Sequence, residues 1–146
     1  MKKSTMNYGL IILPLLLAGI VSLLVNFDMY SRINLPSIAP PAILFPIVWT
    51  ILYLMMGIAL YLNRNNKKNM MIFYIQLAIN YLWVFLFFLF EMFLGSFMLI
   101  VLLDVLVIYT ILEFYKENKA SSYMLIPYLL WIVFASYLNW QIFLLN

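Results

Sequence analysis

The sequence predicts an all-α integral membrane protein, a bundle of five transmembrane helices with a long proline-rich first loop. Three observations predict it. Of 146 residues, 68% are hydrophobic and the mean hydropathy is +1.08, more apolar surface than a soluble domain of this size buries. Uncharged apolar runs recur at the length of about 20 residues that a hydrocarbon core of about 30 Å demands of a helix. Runs such as IVLLDVLVIYTIL lack the ten-residue alternation of a membrane β-barrel strand.

The spans fall at about 8–25, 43–62, 70–90, 94–115 and 123–145, within one domain of residues 1–146. In the first, Lys2 and Lys3 precede the apolar run as in a signal peptide, but its length and the lack of an A-x-A-like end predict a retained span. The following connection, NFDMYSRINLPSIAPPA at 26–42, carries Pro36, Pro40 and Pro41 and little helical patterning. Fixed φ angles and missing donors suit it to a lid that is rigid without regular structure. Pro46 is expected in the first turn of the second helix, where its absent N–H costs nothing. The remaining connections have the short length usual in bundles.

Threading five spans places Lys2, Lys3, Arg64, Lys67, Lys68, Lys116 and Lys119 on one side and only Arg32 on the other. Short basic loops stay in the cytoplasm, so the amino terminus is expected inside and the carboxyl terminus outside. The net charge of +3 is thereby explained as topology, and a nucleic-acid partner is not expected. With neither Cys nor His, the chain has no disulfide framework, no thiolate chemistry and no His-ligated haem or zinc; carboxylates form no metal-spaced cluster.

Helical spacing of about 100° per residue aligns three stripes. Pro46, Trp49, Tyr53 and Gly57 share a face of the second helix, Gln76, Asn80, Trp83 and Phe87 one of the third, and Pro127, Trp131, Phe134 and Leu138 one of the fifth. Asn80 facing lipid would cost free energy, so these faces are expected to point inward. Periodicity alone leaves open whether they line a ligand pocket or fill an ordinary interior, with Gly57, Gly95 or Ala135 permitting close helix approach. In the fourth span, Glu113 lies where it can snorkel toward Lys116. Asp104 sits near the centre and is expected to hydrogen-bond another helix, since no second titratable group at that depth completes a proton relay.

Several segments resemble one family. APPAILFPIVWTILYLMMGIALYL is similar to the loop and second helix of the tryptophan-rich sensory protein family, also called the translocator protein or peripheral-type benzodiazepine receptor (TspO/MBR) family. QLAINYLWVFLFF resembles its third helix, LLDVLVIYTILEFY its fourth, LIPYLLWIVFASYLNWQIFLLN its fifth and LPLLLAGIVSLL its first. The resemblance implies a five-helix bundle, commonly a homodimer, in a prokaryotic cell membrane, with a pocket toward the long loop. It implies binding of porphyrins and haem precursors, and of isoquinoline- or benzodiazepine-type ligands, without an obligate cofactor. By motif match the pocket would include Phe45, Pro46, Val48 and Trp49, with Tyr53 on the same stripe, Asn80 and Trp83, and Trp131, Ala135, Leu138 and Asn139. A flat amphipathic tetrapyrrole calls for such aromatic faces, small residues and amides.

Departures narrow the expectation. Ile43 and Ile100 stand where the family often has Trp, and Trp140 and Leu144 replace the Tyr and the basic residue of the animal cholesterol motif, which argues against a dedicated cholesterol role. Three function classes follow: a porphyrin receptor, sensor or carrier, the preferred reading; an enzyme of light-dependent porphyrin breakdown using Trp49, Trp83 and Trp131; and a proton-coupled multidrug exporter using Asp104. No catalytic or metal residue is assigned.

Overall fold

The computed structural model describes residues 7–146; Lys2 and Lys3, which enter the orientation argument, lie outside the described residues. Those residues form helices α1 (Gly9–Leu24), α2 (Met29–Arg32), α3 (Leu44–Leu62), α4 (Lys67–Val84), α5 (Phe93–Glu117), α6 (Lys119–Met124) and α7 (Ile126–Leu145), with no strand among them. A π-helical turn, Phe85–Leu89, prolongs α4. Among the described residues, four rods are long and apolar enough to cross a membrane: Leu44–Leu62, Lys67–Leu89, Phe93–Glu117 and Lys119–Leu145. Helix α1, with 16 residues, falls short of that length and measures about 24 Å at 1.5 Å per residue.

Three details differ from the sequence expectation. The long loop holds a short helix, α2, where no regular structure is expected. The third span carries the π turn, in which Phe90 N bonds Phe85 O at 3.0 Å and Met92 N bonds Leu86 O at 2.9 Å. The last rod starts earlier, at Lys119, and is interrupted at Leu125, because Pro127 has no N–H with which to continue the preceding helix.

Packing closes a ring in which α1 lies on α3, α3 on α6 and α7, α7 on α5, α5 on α4, and α4 again on α1. The α1–α3 contact is set by Gly57: a methyl group there would overlap the Ile11 carbonyl, so the backbones approach as only glycine permits. Gly19, farther along α1, faces open space instead. At the basic end, Asn66 and Asn118 cap α4 and α6 by accepting from Asn69 N and Ser121 N, each at 3.0 Å. Glu113 accepts there from both Lys68 (3.2 Å) and Lys116 (3.0 Å). In the centre, Ser136 Oγ donates to Asp104 Oδ2 at 2.7 Å, an α7–α5 bond.

The long loop is pinned across the opposite end. Met29 is fully buried, Tyr30 OH donates to Pro40 O at 2.8 Å, and burial pushes the Tyr30 phenol above its usual pKa, keeping the donor protonated. Asn34 N donates to Asn146 Oδ1 at 3.1 Å, and Asn146 Nδ2 returns a bond to Asn34 O at 2.9 Å. Arg32 pairs with Glu91 at 3.1 Å, but both are exposed, and such pairs contribute about 0–1 kcal/mol.

Gly57→Ala forces α1 off α3 and should cost about 1–3 kcal/mol, seen as a lower thermal midpoint, whereas Gly19→Ala should leave the midpoint unchanged or raised. An equal drop in both would remove the close-approach role of Gly57. Hydrogen exchange of loop amides should rise far more in Met29→Ala than in Arg32→Ala, where the change should stay within about fivefold, since the ion pair holds at most about 1 kcal/mol.

Candidate functional site

Beneath the pinned loop, α1, α3 and α4 enclose a cavity of about 560 Å³. This is within the range of about 300–1,000 Å³ common for small-molecule sites. Helix α3 supplies Phe45, Pro46, Trp49, Thr50 and Tyr53, because steps of three and four residues return to one face. Helix α1 supplies Leu15, Ala18, Gly19, Val21 and Ser22, and α4 supplies Tyr81, Trp83 and Val84. Phe27 and Tyr30 descend from the loop.

Aromatic contacts fix the walls. Trp49 stacks on Tyr53 with ring centroids 5.2 Å apart and meets Tyr128 edge-on at 6.2 Å. The π turn inserts one residue into the α4 register, leaving Phe87 in the core while Phe88 lines the cavity. Phe88 stands edge-on to Phe87 at 4.8 Å and to Phe27 of the loop at 4.9 Å, which ties wall to lid.

The cavity's hydroxyl groups are committed to the protein. Tyr53 OH donates to Asn80 Oδ1 at 2.6 Å, Tyr81 OH to Pro14 O at 2.6 Å, and Tyr30 OH to Pro40 O. Ser22 Oγ donates to Gly19 O at 2.7 Å and Thr50 Oγ1 to Pro46 O at 2.6 Å. Behind Tyr53 the bonds continue: Asn80 Nδ2 donates to Tyr128 OH at 2.9 Å, and Tyr128 OH to Gln76 Oε1 at 2.8 Å. A second anchor holds Trp83, whose Nε1 donates to Asn139 Oδ1 at 3.0 Å; that oxygen also accepts from Ser96 Oγ, while Asn139 Nδ2 donates to Phe93 O at 2.9 Å. Orientation of the aromatic walls therefore depends on buried amides that a bilayer interior makes costly to leave unpaired.

The residues expected at the site do not all share one surface. Phe45, Pro46, Trp49, Tyr53 and Trp83 line the cavity together. Asn80 and Asn139 stand behind that surface, bonded to Tyr53 and Trp83. Trp131 meets Phe45 edge-on at 6.0 Å, and its buried indole N–H has no acceptor among the described residues. Ala135 and Leu138 are buried on α7, Val48 is half-buried on α3, and none of the three borders this cavity. The wall from α1 was not assigned from sequence, although the small residues Ala18, Gly19 and Ser22 on one helical face carried the signal. Among the described residues, no group of three or more His, Cys, Asp or Glu could hold a metal ion.

The TspO/MBR family model matches residues 10–145. The chain is 42% identical over 122 residues to the tryptophan-rich protein TspO of Archaeoglobus fulgidus, covering 80% of this chain and 79% of that protein. It is 44% identical over 124 residues to the tryptophan-rich protein TspO of Chlorobaculum tepidum, covering 80% and 78%. A translocator protein homolog of Schizosaccharomyces pombe is 35% identical over 126 residues, covering 80% and 77%. With a family match spanning nearly every described residue and relatives this similar over four-fifths of its length, the chain belongs to the TspO/MBR family of integral membrane proteins.

Proposed function

We propose that the protein is a membrane receptor, acting as sensor or carrier, for flat hydrophobic ligands of the porphyrin type, with isoquinoline- or benzodiazepine-like molecules as further ligands. The observation that carries the reading is the aromatic-walled cavity of about 560 Å³ under a pinned loop. Trp49, Tyr53, Trp83 and Phe88 offer ring faces and edges to a macrocycle, and stacking with burial would supply the affinity. Because the cavity hydroxyls already donate to acceptors within the protein, a porphyrin's carboxylates would remain at the mouth, near the loop, rather than enter. Five spans, with α1 as a short first one, would put this mouth on the side away from the cytoplasm and the basic loops inside.

Titration of the purified protein with protoporphyrin should quench tryptophan emission, since Trp49 and Trp83 border the cavity. Without His or Cys, bound haem should show no His- or thiolate-ligated spectrum, and metal-free protoporphyrin should bind comparably. Gly19→Phe is the deciding variant, because position 19 borders the cavity yet has open space for a side chain. It should weaken binding at least about tenfold, or about 1.4 kcal/mol, with the thermal midpoint retained. Undiminished affinity in a folded Gly19→Phe protein would place the site elsewhere.

A reporter fused after Asn146 tests the orientation. An enzyme that matures only outside the cytoplasm should be active there, and a fluorescent protein that requires the cytoplasm should stay dark; the reverse pattern would invert the threading.

A further inference from the structure

The cavity's exposed rim is not at the loop alone. Gly19 and Ser22 on α1 and Pro46 and Thr50 on α3 line the cavity and are exposed, so they mark an open edge between these two helices. The helices are clamped together at Ile11 and Gly57, near the basic end, and the open edge lies toward the other end. Thr50 is the seventh residue of α3, so at 1.5 Å per residue the edge reaches about 10 Å into a helix long enough to span the membrane. It therefore faces hydrocarbon.

Its chemistry suits that surrounding. The two hydroxyls on the edge, Ser22 and Thr50, donate back to carbonyls of their own helices, Gly19 O and Pro46 O, so neither asks for water. Tyr30, Tyr53 and Tyr81 are also engaged within the protein, and among the described residues no charged side chain lines the cavity. A cavity so lined binds water poorly, while leaving it empty forgoes dispersion contacts along every wall.

We infer that an acyl chain of a bilayer phospholipid, from the leaflet on the long-loop side, enters between α1 and α3 and occupies the cavity in the resting protein. The small side chains of Ala18, Gly19 and Ser22 leave the width that a methylene chain needs, and Trp49 and Phe45 form the inner wall it lies against. A hydrophobic ligand then arrives from the bilayer and exchanges with lipid, instead of displacing water. The inference rests on the same cavity and span placement as the proposed function, but not on porphyrin as its ligand.

Brominated lipid tests it. A variant keeping Trp49 as sole tryptophan, with Trp83, Trp131 and Trp140 replaced by Phe, is reconstituted in phosphatidylcholine vesicles with bromine at mid-chain or without it. Bromine should lower Trp49 emission at least twofold, and adding Gly19→Phe should restore at least half of the loss. Absence of quenching, quenching that Gly19→Phe leaves unchanged, or quenching only by aqueous acrylamide would overturn the inference: the first and last mean no chain inside, the second means contact with surrounding lipid alone. If the single-tryptophan protein does not fold, the same comparison of the parent with Gly19→Phe decides, since Trp131 and Trp140 contribute equally to both. Porphyrin binding without this bromine effect would leave the proposed function standing, and the bromine effect without porphyrin binding would do the opposite.

Discussion

Hydrocarbon offers no hydrogen bonds, and the rest of this molecule is arranged around that constraint. It requires helices, whose backbone groups pair within one segment, and it makes each buried side-chain donor or acceptor a liability unless another helix answers it. Tyr53, Asn80, Tyr128 and Gln76 answer one another from α3, α4 and α7. Trp83, Asn139 and Ser96 do the same among α4, α7 and α5, and Asp104 is met by Ser136. These bonds fix helix register where apolar packing alone would tolerate slippage. They also aim the indole and phenol rings, so the polar interior and the aromatic cavity are two sides of one set of contacts.

Close and open contact alternate along α1. At Gly57 the absence of a side chain lets two backbones touch, which sets the distance between α1 and α3 at one end. At Gly19 the same residue type leaves space, and the cavity lies there. The loop closes the end of that space through buried Met29, the Tyr30 and Asn34 hydrogen bonds and the contact of Phe27 with Phe88. Its exposed Arg32–Glu91 pair adds little in comparison. Aromatic rings line the cavity from α3 and α4, whereas the small side chains of Ala18, Gly19 and Ser22 leave its α1 wall sparse.

Helical membrane character was legible in the sequence because it depends on composition and on runs of about 20 residues, both local properties. So were the inward faces of the third helix, since Gln76, Asn80, Trp83 and Phe87 repeat at helical spacing and all four are buried. Pro46 in the first turn of α3 followed from the same local logic, a residue without an N–H placed where none is needed. The short helix α2 and the π turn are not legible in sequence patterning, because each packs against other segments: α2 through the burial of Met29 and Tyr30, the π turn through Phe88 against Phe27 of the loop and Phe87 against Phe93 of α5.

Hydropathy, periodicity and motif are written in consecutive positions, so the lipid solvent, the helices and the candidate residues can be read along the chain. Which candidates share a surface depends on how the helices pack. Phe45, Trp49, Tyr53 and Trp83 border the cavity with α1, whereas Asn80 and Asn139 work from behind as anchors, and Ala135 packs on α7 away from it. A helical stripe specifies the direction in which side chains leave one axis. Which helix stands opposite, and how far away, is set by contacts between residues distant in sequence, such as Gly57 with Ile11 and Tyr81 with Pro14.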